Sequence, residues 1–141
     1  MSPATRARSL SRYAWATALL GAAAVMVIAT WLHPDPAGHG THTQLGLPPC
    51  GFFLGTGLPC PGCGLTTCFA HMVRFEIGPA LEANAFGVPL FLTTAAAIPL
   101  SLWGLQKNAP VVDTLIDLHA EKWFMALSIF AVVVWVARIA F

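Results

Sequence analysis

Charge is what this sequence has least of. Asp, Glu, Lys and Arg make up only 9% of its 141 residues, against about 25% in an average soluble domain. So little charge cannot cover a water-facing surface, and 57% of the chain is hydrophobic. An ordinary soluble globule is excluded, and lipid is the better solvent for most of the surface. Basic residues are neither numerous nor clustered on a soluble face, and the net charge is +1, which excludes nucleic acid as a partner. An internal repeat, a Gly-rich phosphate loop and a hydrolase-like Ser/His/Asp order are also missing. The length allows one domain.

What is present is three long apolar runs. Residues 13–32 and 85–105 carry no charge, and 123–141 is interrupted only by Arg138. A helix needs about 20 apolar residues to cross a hydrocarbon core of roughly 30 Å. The first two runs meet that length, and the third does so if Arg138 snorkels to the interface. The fold class expected is therefore an all-α membrane protein with three transmembrane helices. A Cys-rich loop over 33–84 separates the first two, with a short interfacial or re-entrant helix over 65–76. Residues 106–122 form a short amphipathic loop or helix. The first run follows Arg6, Arg8 and Arg12 as a signal peptide would, but it is longer than the about 7–15 residues of a signal core and no A-x-A site follows closely. A retained anchor is expected.

The basic flank 1–12 holds three Arg and no acid, whereas 33–84 holds Arg74 as its one Lys or Arg. This bias predicts a multi-pass protein of the inner (cell) membrane with a cytoplasmic N-terminus and the Cys-rich loop outside. The bilayer is the first partner. Gly87 and the small residues Ala95, Ala96 and Ala97 allow close helix packing within the chain, against another membrane protein or against a second copy. The stretch 45–70 is apolar enough to be interfacial, re-entrant or spanning, although its Gly and Pro content argues against a plain spanning helix. Residues 33–43 (HPDPAGHGTHT), with His33, His39 and His42, read as an exposed, flexible segment; His39 and His42 could chelate a metal, but loop histidines usually bind nothing. On the short helix Cys63, Thr67, His71 and Arg74 share one face. Pro89 and Pro99 are expected to kink the second span. Asp113, Asp117 and Glu121 read as a solvated stripe.

All four cysteines, Cys50, Cys60, Cys63 and Cys68, fall in one short window, and three chemistries compete for them. A disulfide staple, such as Cys50 with Cys60 or Cys63, would hold a Gly/Pro-rich loop that has little core of its own. A redox pair at Cys60 and Cys63 would exchange disulfides, with Cys50 or Cys68 as a shuttle thiol; no βαβ pattern surrounds it, so a thioredoxin fold is excluded. A zinc or iron–sulfur centre would draw on Cys60, Cys63 and Cys68 with Cys50 or His71.

Residues 56–67 (TGLPCPGCGLTT) resemble a family of small bacterial membrane proteins of unknown function that carry a CPxCGxT motif. The resemblance runs over about 50–89, and the family pattern continues with an acid, an Ala and an Asn-Pro. Here those positions are Glu76, Ala80 and Asn84 followed by Ala85, so the Pro is missing. A Gly usually precedes the acid, and here it is Phe75. Cys50 matches an upstream cysteine of the family, while Cys68 stands where a small residue is usual. The resemblance implies a unit of Cys50, Cys60, Cys63 and Thr66 that leaves Cys68 and His71 outside, and it implies no activity. The expected function is an integral membrane structural or interaction component with a disulfide-stapled loop. The alternatives are a thiol–disulfide oxidoreductase with Cys60 and Cys63 as the catalytic pair, and a Cys-based zinc or iron–sulfur site. No cofactor is named, no residue is assigned as a metal ligand, and enzymatic activity is left open.

Overall fold

The computed structural model describes residues 3–140, with side chains from residue 8 onward. Arg6 of the basic flank and Phe141 at the end of the third predicted span lie outside what is described. Among the described residues all regular structure is helical. Three helices are long and apolar enough to cross a membrane: α1 (Pro3–Trp31), whose span is Arg8–Trp31, and two others that coincide with the later apolar runs. Helix α1 starts ahead of the predicted span at 13, because Pro3 suits a first helical turn and nothing in the basic flank breaks the helix.

Between the first two spans come a 3₁₀ turn (Thr41–Leu45), α2 (Gly51–Thr56), α3 (Leu65–Met72) and α4 (Ile77–Asn84). The second span is α5 (Gly87–Lys107), with Pro99 inside it. Then follow α6 (Val111–Asp117) and α7 (Ala120–Ala140).

Helices α1 and α5 run antiparallel. Trp15, near the start of α1 and only 4% exposed, lies flat against Gly104 near the end of α5. A Cβ on Gly104 would stand 2.4 Å from the indole ring, so only glycine permits this approach. The same indole Nε1 donates to the Ala109 carbonyl at 2.9 Å. A second close approach lies at Gly87, where a Cβ would meet the Cys68 sulfur at 2.6 Å. Both contacts lie within the chain.

The stretch 45–70 holds no helix long and apolar enough to cross a membrane. It folds into α2, whose residues are all exposed, and the first turns of α3, which packs against α1 and α5. The predicted helix 65–76 stops at Met72, and the chain reverses through Phe75 into α4, an element the sequence reading did not contain. Cys68, Met72, Ala80 and Ala83 make a small core here, with Val88 and Phe91 of α5 packed on it. Phe69 and Phe91 meet edge to face at 5.3 Å, a favoured aromatic geometry.

The polar face of α3 points into the protein rather than to the surface. Arg74 donates to the Thr30 and Leu32 carbonyls at 3.2 and 2.9 Å and so caps the end of α1, where a cation is favoured. Thr67 and Thr41, both fully buried, share a 2.8 Å hydrogen bond. The 33–43 stretch is accordingly not the loose segment expected from its Pro and Gly. Thr41 also accepts from the Asp35 N–H, and Gln44 bonds both backbone polar groups of His33.

Phe75 sits at φ 61° with its side chain 89% exposed. A left-handed backbone costs a non-glycine residue about 1–2 kcal/mol, at the position where the resembled family has Gly. Phe75→Gly is therefore expected to raise stability by about 1 kcal/mol, read as a higher melting temperature in detergent. An unchanged or lower value would mean that the exposed ring contributes more than the strain costs.

Candidate functional site

The Cys60-Pro61-Gly62-Cys63 segment forms a tight turn leading into α3. The Cys63 N–H donates to the Cys60 carbonyl at 3.0 Å, and the Leu65 N–H to the Gly62 carbonyl at 3.1 Å. The Cys60 N–H points at the Cys63 sulfur, 3.3 Å away. Pro61 suits this geometry because its ring sets φ for a turn and it has no N–H to satisfy. Gly64 closes the turn at φ 86° with the Ala83 and Gly38 backbones pressed against its Cα. Cys50 arrives from the other side as the residue preceding α2.

Three sulfurs converge as a result. The Sγ atoms of Cys50, Cys60 and Cys63 all lie within 4.8 Å of one another. All four cysteines are free thiols, so the disulfide staple expected for this loop is absent from the structure. The loop is held instead by hydrogen bonds to its carbonyls from distant helices. Asn84, at the end of α4 and 1% exposed, donates from Nδ2 to the Pro61 and Cys63 carbonyls at 3.3 and 3.0 Å. Its Oδ1 accepts from the Phe86 N–H at 3.1 Å. Trp135 of α7 donates to the Pro59 carbonyl at 2.9 Å, and Arg138 to the Cys63 carbonyl at 2.7 Å. Arg138, expected to snorkel toward water, is thus engaged with the thiol loop and brings a positive charge to it. These three residues do without a covalent staple what the staple was expected to do.

The sulfurs open onto a cleft of about 470 Å³ walled by His39, His42, Phe53 and Thr66. His42 bonds the Pro48 carbonyl through Nε2 at 3.2 Å, and the His39 ring meets Phe53 at 5.0 Å, tilted by 46°. The two histidines, read from sequence as inert, thus share a cavity with the thiols. Thr66 lies on the wall between this cleft and an apolar groove lined by Val25, Ile28 and Phe69.

The thiols differ electrostatically. Cys50 is more acidic than usual, chiefly through the Phe53 backbone N–H and then the Cys60 thiol, both of which favour its thiolate. Cys63 is pushed up to about 12, first by burial and then by its hydrogen bond with Cys60. Desolvation and shared protons oppose a second charge beside the first. Cys68 belongs to a different environment. It is fully buried in the α3–α4 core, and burial alone pushes it up to about 11. His71 pairs with Glu76 at 2.6 Å. The four-ligand set of Cys60, Cys63 and Cys68 with Cys50 or His71 is therefore not assembled, because Cys68 and His71 serve the core and an ion pair.

Sequence reasoning missed Asn84, Trp135 and Arg138 as residues that shape the site. Asn84 had been noted only as part of the family pattern, and nothing local to Trp135 or Arg138 signalled contact with a loop some 75 residues away. No curated protein and no solved structure matches the chain. Residues 50–98, from the first site cysteine into α5, match the model of a family described as a protein of unknown function, DUF2752.

Proposed function

We propose that this integral membrane protein binds a soft divalent metal ion, zinc in first place, through the thiolates of Cys50, Cys60 and Cys63. The observation that carries the reading is the convergence of three sulfurs rather than two. A tetrahedral zinc with Zn–S near 2.3 Å sets its sulfurs about 3.8 Å apart, so thiols within 4.8 Å close on it with small rotamer adjustments. A redox CxxC pair uses two sulfurs at a time, with the third only as a shuttle thiol, whereas a metal draws on all three at once. The open side of the triad faces the His39/His42 cleft, where an imidazole or an exogenous ligand completes the coordination. An iron–sulfur cluster is disfavoured, since it asks for four cysteines and Cys68 lies in the core. Arg138 offsets the net negative charge of three thiolates and one dication. By the distribution of Arg and Lys the centre faces outside the cell membrane.

Elemental analysis of protein purified reduced in detergent tests this. About one zinc per chain is expected, directly or after equilibration with buffered zinc, and Cys60→Ser should lose it while Cys68→Ser keeps it. Fully reduced protein that takes up no zinc would overturn the reading.

The unequal acidity of Cys50 and Cys63 favours thiol–disulfide exchange as a second reading. Cys60 and Cys63 together would lose two electrons and two protons to form one S–S bond, and a partner disulfide would take them up to become two thiols. A structural staple of the same sulfurs requires one pair to close to about 2.05 Å. Thiol trapping separates these two: exchange predicts a bond that cycles with mild reductant, a staple one that resists it.

A further inference from the structure

We propose that the end of the helix pair opposite the thiol centre binds the phosphate headgroup of an anionic phospholipid. Arg8 and Arg12 stand one turn apart on α1, and Lys107 is the last residue of α5. With Ser9 and Asn108 they line a single cleft of about 510 Å³. A second groove, sharing Ser9 and Arg12, continues from it along Tyr13, Ala16 and Leu105. No carboxylate lines either. The nearest acids in sequence, Asp113 and Asp117 of α6, form no ion pair with these cations; among the described residues the one ion pair recorded is His71–Glu76.

Three features make this a site rather than a stripe of charge. The first is rigidity. Trp15 is seated on Gly104 and bonded to the Ala109 carbonyl, and the Val111 N–H reaches Ser11 Oγ at 3.5 Å, so the end of α1 is tied to the α5–α6 connection. The second is potential. The carbonyl end of α5 would repel an anion, but the N–H groups of Asn108 and Ala109 already bond the Leu105 and Gly104 carbonyls, and Lys107 adds a positive charge. The third is depth. The cations stand at the ends of both spans, where lipid phosphates lie, and Tyr13, Ala16 and Leu105 lead from there into the apolar part. A phosphate held at Arg8, Arg12 and Lys107 leaves its acyl chain in that groove. Free phosphate uses the cations alone, which is why the occupant assigned is a lipid.

The test uses the full chain in a non-ionic detergent, with dioleoyl-phosphatidylglycerol and dioleoyl-phosphatidylcholine as probes and native mass spectrometry as the readout. Phosphatidylglycerol should be retained and phosphatidylcholine lost. Each neutralised cation should weaken retention about fivefold, and R8Q/R12Q/K107Q together roughly a hundredfold. These side chains project from helix ends, so the triple variant should keep the wild-type melting temperature in phosphatidylcholine. If it does not, Tyr13→Ser tests the groove without touching charge, and it should weaken phosphatidylglycerol binding. Equal retention of both lipids, or retention unchanged in both variants, would overturn the proposal. Full displacement of phosphatidylglycerol by millimolar inorganic phosphate would show a free-anion site and overturn the lipid assignment.

Discussion

Gly64→Ala is expected to lose about 2–5 kcal/mol of stability and to unmake the thiol centre. Two costs add. The backbone at position 64 has φ 86°, where an alanine pays about 1–2 kcal/mol. The new Cβ would also stand 2.3 Å from the Ala83 carbonyl oxygen and 2.8 Å from that of Gly38, and relieving such overlap in packed structure costs about 1–3 kcal/mol. Neither neighbour is a flexible side chain that can swing away. One belongs to α4, whose next residue is Asn84, and the other to the strap that carries Thr41. Moving them pulls the Asn84 amide off the Cys63 carbonyl and loosens the Thr41–Thr67 bond. Gly62, two residues earlier in the same turn, is the internal control: a Cβ there finds its nearest neighbours at 3.9 Å, so Gly62→Ala should melt like the parent. The local readout is alkylation of Cys68, which is fully buried beneath the turn and should become reactive in Gly64→Ala. Equal melting temperatures and equal Cys68 protection in the two variants would mean that the turn is not held by α4.

Zinc affinity is expected to rise by a factor of roughly 10²–10³ for each unit of pH between 6 and 8. The ligand is the thiolate, so binding must expel the protons that the apo thiols carry. Cys63 holds its proton up to about 12 and contributes a full proton across this range. Cys50 contributes less toward the upper end, because its thiol is the more acidic. Two to three protons are thus exchanged per metal. Competition against a chelator of known affinity, repeated at several pH values, measures the slope. A slope near zero would point to histidine or carboxylate ligands and remove the thiolate centre. In the metal-free protein the same pKa shift has the opposite consequence. The folded state holds the Cys63 proton more tightly than the unfolded chain, whose value is 9.0, so this contribution to stability is present below pH 9 and is lost as the pH rises toward 12. Alkaline pH therefore favours metal binding and weakens the empty loop.

The spans and the site differ in how much of them could be read from sequence. A transmembrane helix announces itself because the transfer of about 20 apolar residues is a sum over neighbours in the chain, and composition contains that sum. All three spans were readable for that reason. Helix α4 was not, because its start depends on Phe75 adopting a left-handed backbone that its own side chain disfavours. The resemblance carried by 56–67 had already separated Cys68 and His71 from the other cysteines, and packing supplies the reason: Cys68 fills the space left by Gly87, and His71 faces Glu76.

By itself, then, the sequence determined that this is a three-span helical membrane protein and that its Cys-rich loop lies between the first two spans. Only the tertiary structure decided that Cys50, Cys60 and Cys63 meet as three free sulfurs rather than as a staple, and that two histidines share their cleft. The physical reason is range. Hydropathy and turn chemistry act over a few residues, whereas the loop that gathers the sulfurs is positioned by Asn84, Trp135 and Arg138, whose partners lie 21 to 76 residues away. Contacts of that separation exist only once the helices have packed.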